Sequence, residues 1–273
     1  MPTTTVNSVQ YYYREQGQEG PLVILGHSDG NSSGQWRGLM EELGGEFRLR
    51  AFDAAGQGRS QPWPEERAYS VAAESKIVDA LAASEVGPIH LVGHSAGGLF
   101  ILGAALRLGA QLASLTLVEP AMFSLLRQAG KERAWEEIEQ VAGVFRELVR
   151  VGQPEEAMNG FVDYWTTQGT WAAMPKERRE SMIATAPKIC LQWDASFGSD
   201  YTLVEFSRLS CPTLLVRGSE TTLAARSVVG LLCNALPNCH LVEIEGAGHM
   251  SPITHAKAVN PHIADHIRRH ANT

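Results

Sequence analysis

The chain has 273 residues, of which 44% are hydrophobic and 19% are charged, with 26 glycines and 13 prolines. These proportions exclude a disordered, collagen-like or coiled-coil chain, and the length suits one large domain or two small ones. The formal net charge is −7 and no dense run of lysine and arginine is present, so nucleic acid is not expected as a partner.

The start of the chain lacks a basic and then apolar signal segment, and no stretch reaches the ~18 apolar residues of a membrane-spanning helix. We therefore expect a cytoplasmic protein that has no membrane partner. None of the four cysteines forms a C-x-x-C pair, so neither a zinc site nor a redox motif is supported. Buried thiols in a reducing compartment are expected at Cys190, Cys211, Cys233 and Cys239.

Short apolar runs alternate with longer helical patterns along most of the chain. An early polar and aromatic run, Val9–Arg14, has the character of an antiparallel edge strand. Alternation of strands and helices predicts an α/β fold with a mainly parallel, doubly wound sheet. Further strands are expected at Leu22–Leu25, Leu49–Phe52, Ile89–Val92, Leu115–Val118, Thr213–Val216 and Leu241–Ile244, and helices at Ser70–Ala83, Ser95–Leu108, Leu223–Leu236 and His255–His270.

Between about residues 120 and 210 this alternation gives way to helical patterns alone. Apolar side chains recur at helical spacing over 138–148, a second apolar face covers 161–165, and a third helix is expected over Lys176–Ile189. The block holds four of the six tryptophans and lies between two core strands. We interpret residues 121–209 as a helical cap inserted into a core formed by residues 1–120 and 210–273.

The segment from Gly93 to Gly97 is a G-x-S-x-G motif between an expected strand and an expected helix. A sharp strand-to-helix turn strains its central residue and directs that side chain outward, so the flanking positions need glycine. The helix N-terminus then presents the N–H of Ala96 to a developing oxyanion. We predict Ser95 as a nucleophile, against the alternative of a glycine-rich turn in which Ser95 only caps the helix.

With this motif in its strand–helix context, the chain resembles the α/β-hydrolase superfamily, in its form with a helical cap. The resemblance spans nearly the whole chain, from about residue 9 to residue 270. Asp53–Ser60 also matches a family signature, D-x-x-G-x-G-x-S, which we interpret as structural. The resemblance implies a catalytic serine, histidine and acid, two backbone N–H groups as an oxyanion hole, and no metal or organic cofactor.

The family's general base corresponds to His249, which follows the last expected strand. That position places His249 on the same rim of the sheet as Ser95. An imidazole with a pKa near about 6.5 can accept the serine proton and return it to the leaving group. Other histidines are less well placed: His27 and His94 are assigned packing roles first, and His262, His266 and His270 share a C-terminal helical face expected to be solvated.

The acid has two candidates. Many relatives carry an aspartate at the position that is Thr221 here, and a threonine cannot stabilise an imidazolium as a carboxylate does. Other relatives place the acid after the sixth strand, where this chain has Glu119 followed by Pro120. Glu119 is favoured because a strand end orients its carboxylate toward the rim, and Glu220 is the competitor.

The second oxyanion donor is expected in the loop that follows the first long strand. Relatives commonly have His-Gly there, whereas this chain has His27 followed by Ser28. The alignment favours the backbone N–H of Asp29 as the donor, with that of Ser28 as the alternative. The Asp29 side chain beside the site either binds a polar substrate group or caps the following turn.

These residues favour a serine hydrolase that cleaves an ester, lactone or thioester of a small, largely apolar substrate through an acyl-enzyme. Dehalogenases and epoxide hydrolases of the superfamily use an aspartate nucleophile, so Ser95 argues against them. Two alternatives remain open: a cofactor-free dioxygenase that uses the His–carboxylate pair, and a non-catalytic receptor for a small ligand. The substrate and the oligomeric state are not predicted.

Overall fold

A computed structural model of the chain describes residues 2–271, which contain one eight-stranded sheet. The strand order is β1-β2-β4-β3-β5-β6-β7-β8, and neighbouring strands from β4 to β8 are parallel. The predicted fold class, a mainly parallel α/β sheet, is therefore confirmed. The strands are β1 (Thr3–Val6), β2 (Val9–Gln16), β3 (Leu22–Gly26), β4 (Arg48–Phe52), β5 (Ile89–His94), β6 (Leu112–Val118), β7 (Thr213–Gly218) and β8 (Cys239–Ile244).

Helices cover both faces of the sheet, as expected for a doubly wound fold. Alternate residues of β3 point to opposite faces, since Leu22 and Ile24 join one apolar core and Val23 and Leu25 join the other. Fourteen α-helices lie in the described part of the chain: α1 (Arg37–Leu43), α2 (Val71–Glu74), α3 (Lys76–Ala82), α4 (Ala96–Leu108), α5 (Ser124–Gln128), α6 (Glu132–Arg150), α7 (Pro154–Trp165), α8 (Thr170–Ala173), α9 (Lys176–Ile183), α10 (Ala186–Phe197), α11 (Leu203–Phe206), α12 (Leu223–Ala235), α13 (Ser251–Thr254) and α14 (Ala256–Arg269).

The strand predicted at the edge of the sheet, Val9–Arg14, is the second strand from that edge. It corresponds to β2, which is antiparallel as expected but pairs with β4 on one side and with β1 on the other. The prediction of an edge strand was therefore wrong, because β1 covers that edge. Thr3–Val6 carries one strongly apolar residue and gives no alternating pattern by which β1 could be recognised.

Two helices expected to be continuous are broken. The helix predicted over Ser70–Ala83 divides into α2 and α3 at Ser75, whose backbone carbonyl accepts a hydrogen bond from Arg107 Nη2 at 3.2 Å. The helix predicted over Lys176–Ile189 ends at Ile183, and α10 begins at Ala186. Pro187 explains this second break, since proline lacks an N–H and its ring clashes with the carbonyl four residues earlier.

The segment between β6 and β7 contains α5 to α11 and, within the described residues, no strand. Its aromatic rings pack together: Trp165 and Trp193 stack with centroids 6.3 Å apart, and Trp193 stacks on Phe197 at 5.6 Å. A buried ion pair joins this segment to the core, with Lys188 Nζ of α10 lying 2.7 Å from Glu74 Oε2 of α2. A buried charge pair therefore attaches the helical segment to α2.

Two of the four cysteines come together despite their unremarkable spacing in sequence. Cys233 at the end of α12 and Cys239 at the start of β8 are both half-buried free thiols, and their Sγ atoms lie 3.2 Å apart. The short connection from α12 to β8 brings the pair together. Of the four thiols expected to be buried, Cys211 is buried, whereas the expectation was wrong for Cys190, Cys233 and Cys239, which are half-buried. No helix among residues 2–271 is long and apolar enough to cross a membrane.

Candidate active site

Ser95 occupies a one-residue turn between β5, which ends at His94, and α4, which begins at Ala96. Its backbone has φ +54° and ψ −119°, a region that residues with a side chain rarely adopt. The glycines of the motif permit the close packing around it. A Cβ atom on Gly97 would lie 2.3 Å from the carbonyl carbon of Gly26, and one on Gly93 would lie 2.6 Å from Gly98 Cα.

The structure brings Ser95, His249 and Glu119 into one hydrogen-bonded row. His249 Nε2 lies 2.9 Å from Ser95 Oγ, and His249 Nδ1 lies 2.6 Å from Glu119 Oε2. Ionised carboxylates accept but do not donate, so Nδ1–H donates to Glu119 and Nε2 is left to accept the serine hydroxyl. All three residues are buried, and they follow the C-terminal ends of β5, β8 and β6.

Glu119 is held by three partners. In addition to His249, it accepts the backbone N–H of Gly218 at 2.7 Å and the hydroxyl of Thr221 at 2.5 Å. Its backbone has φ +42°, which is uncommon for a residue with a side chain. Thr221, at the position where many relatives carry the acid, thus donates a hydrogen bond to the carboxylate that contacts the histidine.

Glu220, the competing acid, lies elsewhere. It is exposed, and its backbone N–H donates to the carbonyl of Ala247 at 2.9 Å. Among the described residues, the carboxylate that contacts His249 is that of Glu119. The geometry therefore brings together three of the residues singled out from sequence and leaves Glu220 outside the row.

The two residues expected to supply the oxyanion donors lie in the wall of one cavity with Ser95. Ala96 and Asp29 line the same small cavity as Ser95, which encloses about 20 Å³. Within residues 2–271, neither N–H donates to another group of the protein. The N–H of Ser28, the alternative donor, is already bonded to Gln35 Oε1 at 3.1 Å.

A second row of hydrogen bonds connects this loop to the histidine and was not expected from sequence. Gln35 accepts from Ser28 through Oε1, and its Nε2 donates to His94 Nδ1 at 3.1 Å. His94 Nε2 in turn bonds the backbone carbonyl of His249 at 3.0 Å. Burial lowers the pKa of His94 well below its usual 6.5, which keeps the ring neutral. His94 therefore accepts through one ring nitrogen and donates through the other, and it links the loops that carry Asp29 and His249.

The other histidines considered from sequence lie outside the row formed by Ser95, His249 and Glu119. His27 Nδ1 bonds the carbonyl of Ser28 at 2.7 Å, and its Nε2 accepts the N–H of Ala54 at 3.0 Å, so it fastens two loops. On α14, His262 is exposed as expected, whereas His266 and His270 are half-buried. The prediction of a solvated face was wrong for these two: their rings pack edge to face with centroids 5.0 Å apart, and burial is the main cause that lowers the pKa of His266 to about 4.

Asp29 lines the small cavity beside Ser95 and also a second, larger cavity above it. It accepts a hydrogen bond from Gln57 Nε2 at 2.7 Å, and that amide also contacts Gln192 of α10. Burial raises the pKa of Asp29 to about 6, with the bond from Gln57 opposing the rise. Asp29 therefore changes charge within the pH range in which the protein can be assayed.

A cavity of about 240 Å³ opens above Ser95 and His249. Its wall combines loops from the sheet with the lower surface of the helices between β6 and β7. Trp165 lies directly on the histidine, with ring centroids 4.1 Å apart. The apolar lining consists of Phe161, Val162, Trp165, Met174, Met182, Met250 and Ile253. Apolar side chains beside the serine lower the local dielectric constant and so strengthen electrostatic interactions there.

A family profile described as the alpha/beta hydrolase family matches residues 16–262. The chain belongs to this family. A relative named carbamate hydrolase RutD, from Pantoea ananatis, is 24% identical over 278 residues and covers 96% of this chain and 94% of its own. The chain is also similar to a pimeloyl-[acyl-carrier protein] methyl ester esterase from Aeromonas salmonicida, at 27% identity over 88% of this chain and 93% of that protein.

Solved structures support the same fold. The enol-lactonase from Burkholderia xenovorans LB400 superposes with a TM-score of 0.80, covers 98% of this chain and 100% of its own, and is 20% identical. A hydrolase from Pseudomonas aeruginosa PA01 superposes with a TM-score of 0.81 at 23% identity, with 97% of each chain covered. The chain therefore shares its fold with proteins that are only 20–23% identical to it in sequence.

Proposed function

We propose that this hydrolase cleaves a carboxylic ester, lactone or thioester of a small, largely apolar substrate by means of Ser95, His249 and Glu119. The row of hydrogen bonds from Ser95 Oγ through His249 to the buried Glu119 carboxylate carries this proposal. Its relatives named as an esterase and an enol-lactonase favour an ester or lactone bond. We further propose that residues 121–209 form the cap that encloses the substrate.

In this mechanism Ser95 Oγ attacks the carbonyl carbon while His249 Nε2 accepts its proton. Glu119 stabilises the resulting imidazolium and holds the ring so that Nδ1 remains protonated. The carbonyl oxygen gains negative charge and is bound by the N–H groups of Ala96 and Asp29, each of which lowers the barrier by about 3 kcal/mol. Collapse of the intermediate expels the alcohol or thiol, which takes the proton from His249.

The acyl-enzyme is then hydrolysed by the same groups. His249 takes a proton from water, the hydroxide adds to the acyl carbon, and Ser95 leaves with that proton. The reaction requires neither a metal nor an organic cofactor. The substrate is a small molecule, and the cytoplasmic location expected from sequence stays a prediction.

Hydrolysis of p-nitrophenyl butyrate tests the proposal directly. We expect turnover by the wild-type protein, with a burst of nitrophenol when deacylation is the slower step. Ser95→Ala should lower kcat by at least about ten-thousandfold, because the nucleophile is gone. Its thermal unfolding midpoint should stay within a few degrees of wild type. Equal turnover by the two proteins would refute the assignment of Ser95, and loss of folding in the variant would instead favour a packing role.

A further inference from the structure

Arg178 is a half-buried guanidinium in the wall of the larger cavity, which also contains Ser95 and His249. It lies in the first turn of α9. Its Nη2 donates to the backbone carbonyl of Gly30 at 2.8 Å and to Asn31 Oδ1 at 2.6 Å. Both acceptors are neutral, so these bonds orient the guanidinium without balancing its charge.

No carboxylate of residues 2–271 pairs with Arg178. Burial lowers its pKa, and no neighbouring acid opposes that effect. The carboxylate in the same cavity wall, Asp29, is bonded instead to Gln57 and receives its favourable charge interaction from Lys188. A charge that is partly removed from water and lacks an opposite charge is unfavourable in the empty protein. Its position in a substrate cavity indicates that the ligand supplies the opposite charge.

We infer that Arg178 binds a carboxylate on the substrate, which is then an ester or lactone with an apolar body and one remote carboxylate. This inference rests on the proposed function, since it identifies the substrate class of the same site. A guanidinium edge presents two parallel N–H donors that match a carboxylate. The other residues that the helical segment contributes to the lining are apolar residues and threonines. The guanidinium of Arg178 is therefore the charge from this segment that a substrate carboxylate would meet.

The position of Arg178 also relates the carboxylate to the reacting carbonyl. Gly30 and Asn31, to which the guanidinium is bonded, directly follow Asp29, whose backbone N–H is the proposed oxyanion donor. The cavity of about 240 Å³ is smaller than the roughly 300–1,000 Å³ typical of drug-sized ligand sites, so the two groups of the substrate lie close together. A short dicarboxylate monoester therefore fits this arrangement better than a long acyl chain.

A matched pair of substrates separates charge from shape. One is the p-nitrophenyl monoester of glutaric acid, and the other is a neutral ester in which an isopropyl group replaces the free carboxylate. The ratio of their kcat/KM values is measured for the wild type, for Arg178→Gln, and for Lys176→Gln as the control. Lys176 is an exposed cation on the same helix, paired with Glu180 at 3.6 Å.

We expect the wild type to prefer the anionic ester, and Arg178→Gln to lower the ratio about 10- to 100-fold, as the loss of a charged hydrogen-bond pair implies. Lys176→Gln should change the ratio less than about twofold, because an exposed charge is screened. Arg178→Lys should retain part of the preference, since it keeps the charge but loses the planar fork. An unchanged ratio in Arg178→Gln, or no preference in the wild type, would overturn the inference.

Binding to Ser95→Ala distinguishes this inference from the proposed function. The monomethyl ester of glutaric acid is titrated calorimetrically into Ser95→Ala with and without Arg178→Gln. Weaker binding in the double variant supports the carboxylate contact even when neither ester is hydrolysed, in which case the hydrolase proposal alone fails. Ser95-dependent hydrolysis of both esters with an unchanged ratio has the opposite meaning: the hydrolase proposal holds and the Arg178 contact is absent.

Discussion

The rim of the sheet and the lower surface of the helical segment face each other across one cavity, and their side chains differ in kind. At the rim, Ser95, His249 and Glu119 are buried and hydrogen-bonded to one another, and Glu119 has two further donors. The helical segment contributes aromatic, aliphatic and threonine side chains, and in the described lining its one charged side chain is Arg178. Hydrogen bonds at the rim fix the orientation of the three side chains, whereas the helical surface determines the shape and charge of the cavity.

This difference implies a division of roles between the two regions. Orientation of a nucleophile and a base acts on the transition state, so changes at the rim should lower kcat. Shape and charge act on the whole substrate, so changes in the helical surface should alter which substrate is preferred. The division can be tested by substitutions that affect one region and spare the other.

Removal of His249, the proposed base, should have the largest effect. His249→Ala is expected to lower kcat for a neutral ester by about ten-thousandfold to a millionfold, because the serine then has no proton acceptor. His262→Ala is the matched control, since His262 is exposed on α14. Steady-state kinetics at saturating substrate would measure both variants. A His249→Ala variant with more than a tenth of wild-type kcat would contradict the role of the rim.

Substitution of Glu119, the proposed acid, should be almost as severe. Glu119→Gln keeps the shape of the side chain but loses the charge that stabilises the imidazolium, and we expect a loss in kcat of about ten-thousandfold. Glu220→Gln removes the same charge from an exposed position and should alter kcat less than about twofold. The comparison is made with purified proteins of equal thermal stability. The reverse order of effects would transfer the role of the acid to Glu220.

The ion pair that joins the helical segment to α2 should affect stability more than chemistry. Lys188→Met leaves the Glu74 carboxylate buried without its partner at 2.7 Å, and this change should cost about 3–5 kcal/mol in the free energy of unfolding. Combining it with Glu74→Gln removes the stranded charge, so the double variant should unfold at a higher urea concentration than Lys188→Met alone. A double variant less stable than the single one would show that the pair is not coupled.

Titration of Asp29 should give the smallest effect. Its pKa is raised from 3.8 to about 6 in the folded protein, so the fold binds this proton more tightly than the unfolded chain does. The stability penalty of the ionised form is therefore absent below about pH 4, grows as the pH rises to about 6 and is constant above it. Asp29→Asn lacks this penalty and should be more stable than wild type by up to about 2 kcal/mol at pH 8, allowing for solvent screening.

Urea unfolding of Asp29→Asn and wild type at pH 4 and pH 8 measures this difference. Asparagine can still accept the hydrogen bond from Gln57, so the local contacts are preserved. An equal stability difference at the two pH values would mean that Asp29 does not titrate between them.

Much of the fold and part of the site were accessible from sequence for specific physical reasons. Strand and helix alternate with clear apolar periods, and G-x-S-x-G marks a turn that only small flanking residues allow, so the position of Ser95 could be read directly. The fold class and family were confirmed. His249 was accessible because a loop after a parallel strand returns to the same rim as Ser95.

Other features depend on contacts that have no sequence signal. The choice between Glu119 and Glu220 depends on where a side chain points, and Thr221 shows its role only as a neighbour of Glu119. Gln35 and His94 lie 59 residues apart in the chain, so nothing in the local sequence shows that their side chains are hydrogen-bonded. Arg178 lies in α9, a helix rich in charged residues that resembles a solvent-exposed helix in sequence. Its hydrogen bonds to residues 30 and 31 have no counterpart in the hydrophobic periodicity. Pro187, in contrast, was a visible signal for the helix break.

The most direct test of the central claim is the intact mass of the protein after treatment with a fluorophosphonate. An activated serine displaces fluoride from phosphorus and keeps the phosphonyl group on Oγ, while the proton leaves with fluoride. We predict one adduct on the wild type, none on Ser95→Ala, and much slower labelling of Glu119→Gln. No adduct on the folded wild type, or equal labelling of Ser95→Ala, would contradict the account and favour either serine-independent use of the His249–Glu119 pair or a binding function.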